Sequence, residues 1–423
     1  MEKIKKTVLK NGLRIITIPM IESLTTTVLV LVEAGSKYET KDINGISHFL
    51  EHMCFKGTKK RPQSIDISSE LDNIGAQYNA FTSMEYTGYF AKARPEHFDI
   101  ILDVVSDMYL NPTFKQKEIN KERGVIIEEI NMYEDLPMRN VQDIFTNLLY
   151  GDQPAGWSIA GRKEVVKKIN RADFIKYRNQ HYLGQSSLVV VAGKFKENEV
   201  IKKIEKAFNS IKSSLKTPKI KTVESQKKPE VLLKYKKTDQ AHLVLGVRAF
   251  DIFDSRRFAL DILAVILGQG FSSRLVQKIR EEMGAAYYIN ADSEFLTDHG
   301  FFTVSAGVDN NKIKKVIKAI LKEFKKITKE LVKNKELQRA KEQLIAKLAI
   351  GLETSDQLAG FYGGQEIVTG EPLSSDEIIQ KIRDVKNKEI KDIALEIFKN
   401  NKLNLAVIGP FKEKKIFEKI LRF

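Results

Sequence analysis

The sequence predicts an α+β protein of two similar domains from a tandem duplication, each a largely antiparallel or mixed β-sheet packed with helices. Three observations carry this expectation. The chain has 423 residues, room for two or three domains at about 100–200 residues each. Strand-like segments rich in β-branched residues come before and after a helical middle, and that order occurs twice. A polar stretch at 212–230, with two prolines and no apolar period, separates the two runs.

The elements follow in order. LRIITIPM (13–20) and TTVLVLVEAG (26–35) read as strands, and QYNAFTSMEYTGYFAKA (77–93) as another strand or a hairpin. HFDIILDVVSDMYL (97–110) and ADFIKYRNQHY (172–182) have helical apolar periods, and SLVVVAGKF (187–195) reads as a buried strand ending in Gly. The second run has strands at VLLKYKK (231–237) and HLVLGVRAF (242–250). It has helices at NNKIKKVIKAILKEFKKITKEL (310–331) and KEIKDIALEIF (388–398), and closes on the strand NLAVIGPF (404–411). The closing helix–strand pairs are offset by about 215 residues. Two copies make a duplication rather than a solenoid. The expected domains are 1–211 and 231–423, joined by the linker 212–230.

Composition narrows the class. Apolar residues are 42% and charged residues 30%, a globular balance rather than a disordered one. The single cysteine, Cys54, excludes an internal disulfide framework and an all-cysteine metal site, and is read as a small buried residue. No run approaches the roughly 18 apolar residues of a membrane span. The N-terminus is basic but lacks a signal peptide's apolar stretch, so a cytoplasmic protein is expected. The net charge of +15 raises nucleic acid or an anionic membrane as partners. Its lysines are interleaved with acids and accompany no recognition motif, so neither partner is expected.

The chemistry is concentrated in NGISHFLEHMCFKGT (44–58). At about 100° per residue on a helix, Ile46, Phe49, Leu50 and Met53 share one face, and His48, Glu51 and His52 the opposite one. His48 and His52 are i,i+4 neighbours whose imidazoles can converge on one ion. The order is H-x-x-E-H. Two neutral imidazoles with a carboxylate suit Zn2+, and Glu51 stands where a base is needed. A third ligand is expected on KEINKERGVIIEEINMYEDL (117–136). There Glu122 and Glu129, seven apart, lie only about 20° from alignment, with Val125, Ile126 and Tyr133 on their side. Carboxylates on an apolar face are costly to bury without a cation, which marks Glu129 as a ligand and Glu122 as a supporting acid. Glu128 points elsewhere.

These residues resemble the inverzincin metallopeptidases of the pitrilysin and mitochondrial processing peptidase family. The shared stretches are NGISHFLEHMCFKGT, GAQYNAFTSMEYT, KERGVIIEEINMYED, YGDQPAGWSIAGRKEV and QKIREEMGAAYYI, and they span both halves. The resemblance implies one zinc per chain held by His48, His52 and Glu129, with Glu51 as general base and Glu122 beside the ligands. It implies that Arg280 and Tyr287, from IREEMGAAYY, serve the catalytic centre. Read without it, Arg280 is a surface helix residue and Tyr287 a core strand residue. It also implies that peptide adds as a strand along Tyr78–Thr82, on Asn79, Ala80 and Phe81.

The second half has no H-x-x-E-H, and its counterpart region is read as ILGQGFSSRLVQKI (266–279). GQGFSSR lacks the ending of a phosphate loop. Processing peptidases use an acidic pair to hold a substrate arginine. Here Asp143 has Arg139 in place of its partner, which puts arginine-directed cleavage in doubt. The expected function is a zinc-dependent endopeptidase acting on extended or unfolded peptides. The alternative is a non-catalytic structural or partner subunit. Relatives with four repeats close as two half-shells around a chamber; two repeats make one half of such a clamshell. A homodimer is therefore expected, with a heterodimer as the alternative.

Overall fold

A computed structural model describes residues 4–423. The first run contains β1 (Lys5–Val8), β2 (Arg14–Pro19), β3 (Thr26–Val32), α1 (Ile46–Cys54), α2 (Ser64–Asp72), β4 (Gln77–Thr82), β5 (Thr87–Ala93) and α3 (Phe98–Leu110). It continues with α4 (Gln116–Asp135), α5 (Pro137–Tyr150), α6 (Lys163–Val166), α7 (Arg171–His181), β6 (Ser187–Gly193) and α8 (Glu197–Ala207). The second contains β7 (Glu230–Tyr235), β8 (Gln240–Ala249), α9 (Arg257–Gly268), a π-helical segment Val276–Glu282, β9 (Ala286–Phe295) and β10 (Gly300–Asp309). Then come α10 (Ile313–Lys329), α11 (Asn334–Ile350), α12 (Ser355–Thr369), α13 (Ser375–Asp384), α14 (Asn387–Ile397), β11 (Asn404–Gly409) and α15 (Lys415–Ile420).

The duplication is visible in the hydrogen-bond ladders. The first sheet has the order β1-β2-β6-β3-β5-β4 and the second β7-β11-β8-β10-β9. Each has one parallel pairing, between an early strand and the closing one, β2 with β6 and β7 with β11; every other pairing is antiparallel, and the first sheet carries β1 as an additional edge strand. Element order also corrects one expectation. The counterpart of the motif helix α1 is α9, Arg257–Gly268, whereas 266–279 mostly follows that helix.

Two compact units form, and they are not the continuous halves of the chain. One comprises residues 1–130, 157–220 and 350–373; the other comprises 131–156, 221–349 and 374–423. The boundaries expected from chain order, 1–211, 212–230 and 231–423, therefore differ from the units by an exchange of helices. The physical reason lies in the strands. β3 and β6 are buried along their whole length, so both faces of the first sheet need a cover. α12 supplies one, packing Leu358 and Tyr362 against Leu29, Leu31 and Val190. In the second unit α5 lays Val141 and Phe145 on Val244, Ala406 and Ile408. Strand alternation turns Phe302 to the opposite side from Phe301. There Phe324 of α10 and Phe398 stack at 4.0 Å beside it.

Candidate metal centre

The centre is built in the first unit by α1, β4 and α4. As the helical faces required, Ile46, Phe49, Leu50 and Met53 are buried, while His48, Glu51 and His52 are half-buried on the other side. The chain turns into α1 at Gly45, whose φ of +97° favours glycine, and a Cβ there would lie 2.7 Å from the Ala160 carbonyl oxygen. The helix start is held by the fully buried Glu39. Its carboxylate accepts from Gly45 N (2.7 Å), Ser47 N (2.8 Å) and Asn44 Nδ2 (2.9 Å). Burial outweighs these bonds and pushes the Glu39 carboxyl up to about 7. Ser47 Oγ also meets the Tyr177 hydroxyl at 2.7 Å.

The His48 and His52 rings lie 4.6 Å apart between centroids. Glu129 Oε2 is 3.6 Å from Nε2 of each. Two ligands on a tetrahedral zinc with bonds of about 2.0–2.1 Å are separated by about 3.4 Å, close to both Glu129 distances, and all three donor atoms lie within 4.8 Å of one another. A neighbouring hydrogen bond orients one of them. His52 Nδ1 donates to Glu122 Oε1 at 2.9 Å, which leaves Nε2 free to coordinate. Lys56 Nζ holds the other oxygen of Glu122 at 2.7 Å. Glu122 is only 3% exposed. Burial alone would raise its carboxyl, but the bonds to His52 and Lys56 bring it below the ordinary range.

Electrostatics point the same way. Burial, with His52 alongside, lowers the pKa of His48 and keeps it neutral, as a ligand must be. Burial would also lower His52, but the Glu122 bond and the charges of Glu51, Glu122 and Glu129 raise it. His48, His52 and Glu129 together make a donor set that suits a divalent cation. Glu51 completes the group: Thr82 Oγ1 donates to its Oε2 at 2.6 Å, and burial raises its carboxyl in spite of that bond.

Other expected residues are distributed as follows. β4 is the edge strand of the first sheet and carries Asn79, Ala80 and Phe81. Asn79 and Phe81 are exposed, and Ala80 N–H donates to Asn79 Oδ1 at 2.9 Å. Arg280 and Tyr287 belong to the second unit. Arg280 is exposed in the π-helical segment, its guanidinium 5.3 Å over the Phe271 ring. Tyr287 lies on the edge strand β9 and is 74% exposed, which rules out the core reading. Arg139 lies 5.6 Å over the Tyr133 ring, and Asp143, raised by burial, feels its charge. Val125, expected beside the two glutamates, is exposed. Cys54 is buried against the Tyr89 hydroxyl at 3.6 Å, and burial pushes its thiol up to about 12, which leaves it unreactive.

Sequence reasoning missed Lys56 and Glu39, and saw Thr82 only as the end of an edge segment. Lys56 stands four residues after His52, a spacing that could have flagged it. Nothing local links Thr82 to Glu51, 31 residues away.

Known proteins match at the level of family. The family described as Insulinase (Peptidase family M16) matches residues 15–163, and the one described as Peptidase M16 inactive domain matches 168–344. An uncharacterized zinc protease of Bacillus subtilis is 34% identical over 409 residues, 96% of this chain and 98% of that one. Another from Streptomyces coelicolor is 33% identical over 420 residues, covering 97% of this chain and 90% of that one. A solved protease from Helicobacter pylori superimposes with a TM-score of 0.90 at 24% identity, over 97% of this chain and 100% of that one. With a duplicated sheet, an H-x-x-E-H helix and relatives of this similarity over nearly its full length, the chain belongs to peptidase family M16, the insulinase family.

Proposed function

We propose that this chain is a zinc-dependent endopeptidase that hydrolyses extended or unfolded peptides. One observation carries the reading: Glu129 stands equidistant from two imidazoles, with the unligated carboxylate of Glu51 beside them. His48, His52 and Glu129 would hold the zinc, which when bound supplies Lewis acidity toward a water and a peptide carbonyl. Glu51 would take a proton from the attacking water and pass it to the leaving amine, so the residue would end each turnover as it began. Burial favours the protonated carboxyl and so suits it to carry the proton between the two. Glu122, held by Lys56, keeps His52 in the ligating tautomer.

Peptide adds to the free edge of β4, where main-chain hydrogen bonds give affinity with little sequence preference. Arg280 and Tyr287 bind the substrate main chain or the oxyanion, a role their exposure permits. Arg139 beside Asp143 disfavours a substrate arginine. The active form is a homodimer of two half-shells, and the protein works in the cytoplasm. Glu51→Gln should retain stoichiometric zinc and lose cleavage of a mixed peptide library mapped by mass spectrometry; wild-type turnover by that variant refutes the mechanism. A non-catalytic subunit is the second reading, favoured by the inactive-domain match over 168–344. It predicts no cleavage by the wild type and no stoichiometric zinc.

A further inference from the structure

We propose that Thr82 is a positioning residue: it holds the Glu51 carboxylate and ties the general base to the strand that receives the peptide. The inference rests on the peptidase reading above and assigns a role that the motif does not contain. Thr82 Oγ1 donates to Glu51 Oε2 at 2.6 Å, and among the described residues it is the one hydrogen-bond partner of that carboxylate. A glutamate side chain has three rotatable bonds, and a general base works only within hydrogen-bond reach of its proton. A single strong bond to one oxygen restricts the arm and leaves Oε1 open to accept. The donor is itself fixed. Thr82 is the last residue of β4, paired with Thr87 of β5. Thr87 in turn donates to the Ala34 carbonyl at 2.7 Å and lies 3.4 Å from Thr82 Oγ1.

The placement gives the bond a second consequence. Asn79, Ala80, Phe81 and Thr82 form one edge segment, so a peptide paired along it stiffens the same strand that carries the donor. Binding energy from the peptide main chain is then expressed as alignment of the base, and so in kcat rather than in KM. A merely structural threonine would not show this split.

Two variants test it. Thr82→Val keeps the shape and the strand preference and removes the donor; Thr82→Ser keeps the donor. The valine variant should lose kcat by roughly ten- to a hundredfold with KM within about twofold and zinc content unchanged, and serine should restore most of it. Equal kcat for the valine variant and the wild type overturns the proposal, as does a loss confined to KM. A readout independent of turnover uses the metal-free protein. Thr82→Val should lower Tm, because it strands a buried carboxylate, but should not do so in a Glu51→Ala background. Additive shifts overturn the proposal. A wild type that cleaves nothing refutes the peptidase reading instead, and the Tm comparison still decides the Thr82–Glu51 contact.

Discussion

After β3, the first unit lays α1 beside its edge strand with one polar side showing; after β8, the second lays down α9, buried over nearly all its length from Phe258 to Gly268. The strand orders match, so the helix faces make the difference. α1 meets β4 through side chains, Glu51 to Thr82. α9 comes close enough to β9 to touch its backbone: a Cβ on Gly268 would lie 2.4 Å from Ala291 N. The one acid of α9, Asp261, accepts a hydrogen bond from Ser293 on β9, and burial pushes its carboxyl up to about 6. His48, Glu51 and His52 on α1 are half-buried, whereas the matching positions of α9 are packed under neighbouring side chains and backbone. A duplicated scaffold therefore gathers metal-ligating side chains in one copy and packs tightly in the other.

The largest expected effect falls on the two imidazoles of α1. His52→Ala should abolish both stoichiometric zinc and turnover, measured by metal analysis after dialysis; retained zinc would mean that the second unit, or another cluster, binds it. The next effect concerns Glu39, a buried acid at the start of α1. Its folded-state carboxyl titrates near 7 against an ordinary 4.5, so the folded protein holds a proton that the unfolded chain releases. Stability should fall as pH rises through that window, by about 3 kcal/mol in all, and Glu39→Gln should flatten the slope in denaturant titrations. Gly268→Ala tests the close packing of the second unit and should cost about 1–3 kcal/mol, read as a lower Tm without loss of zinc. Glu122→Gln should weaken zinc about 10–100-fold by releasing the His52 tautomer, measured by chelator competition. Smallest of all is a graft. Asp261→His with Val265→His restores the i,i+4 pair on α9, yet should bind no zinc, because no space faces that helix.

How much was legible beforehand follows from what is local. The faces of α1 and α4 are matters of about 3.6 residues per turn, so His48, His52, Glu122 and Glu129 could be picked from spacing alone. The strands were read from β-branched runs, and their repetition gave the duplication. Tyr287 illustrates the opposite case. Its segment reads as a strand, but whether a strand residue is buried depends on which strand ends the sheet, and β9 does. The exchange of α5 and α12 was invisible for the same reason. Each buries one side against a sheet, and no local pattern states which sheet that side will cover.

The repeat, the helix faces and the residues able to hold a divalent ion were written in the chain order, because hydrophobic period and donor chemistry are local to each residue. Folding settled that α4 brings Glu122 and Glu129 to α1 and that Thr82 reaches Glu51. It also decided that Glu39 anchors the motif helix and that α9 closes the matching space. These are meetings between elements tens of residues apart. They are set by which apolar faces remain to be covered once each sheet has formed, a choice the whole chain makes together.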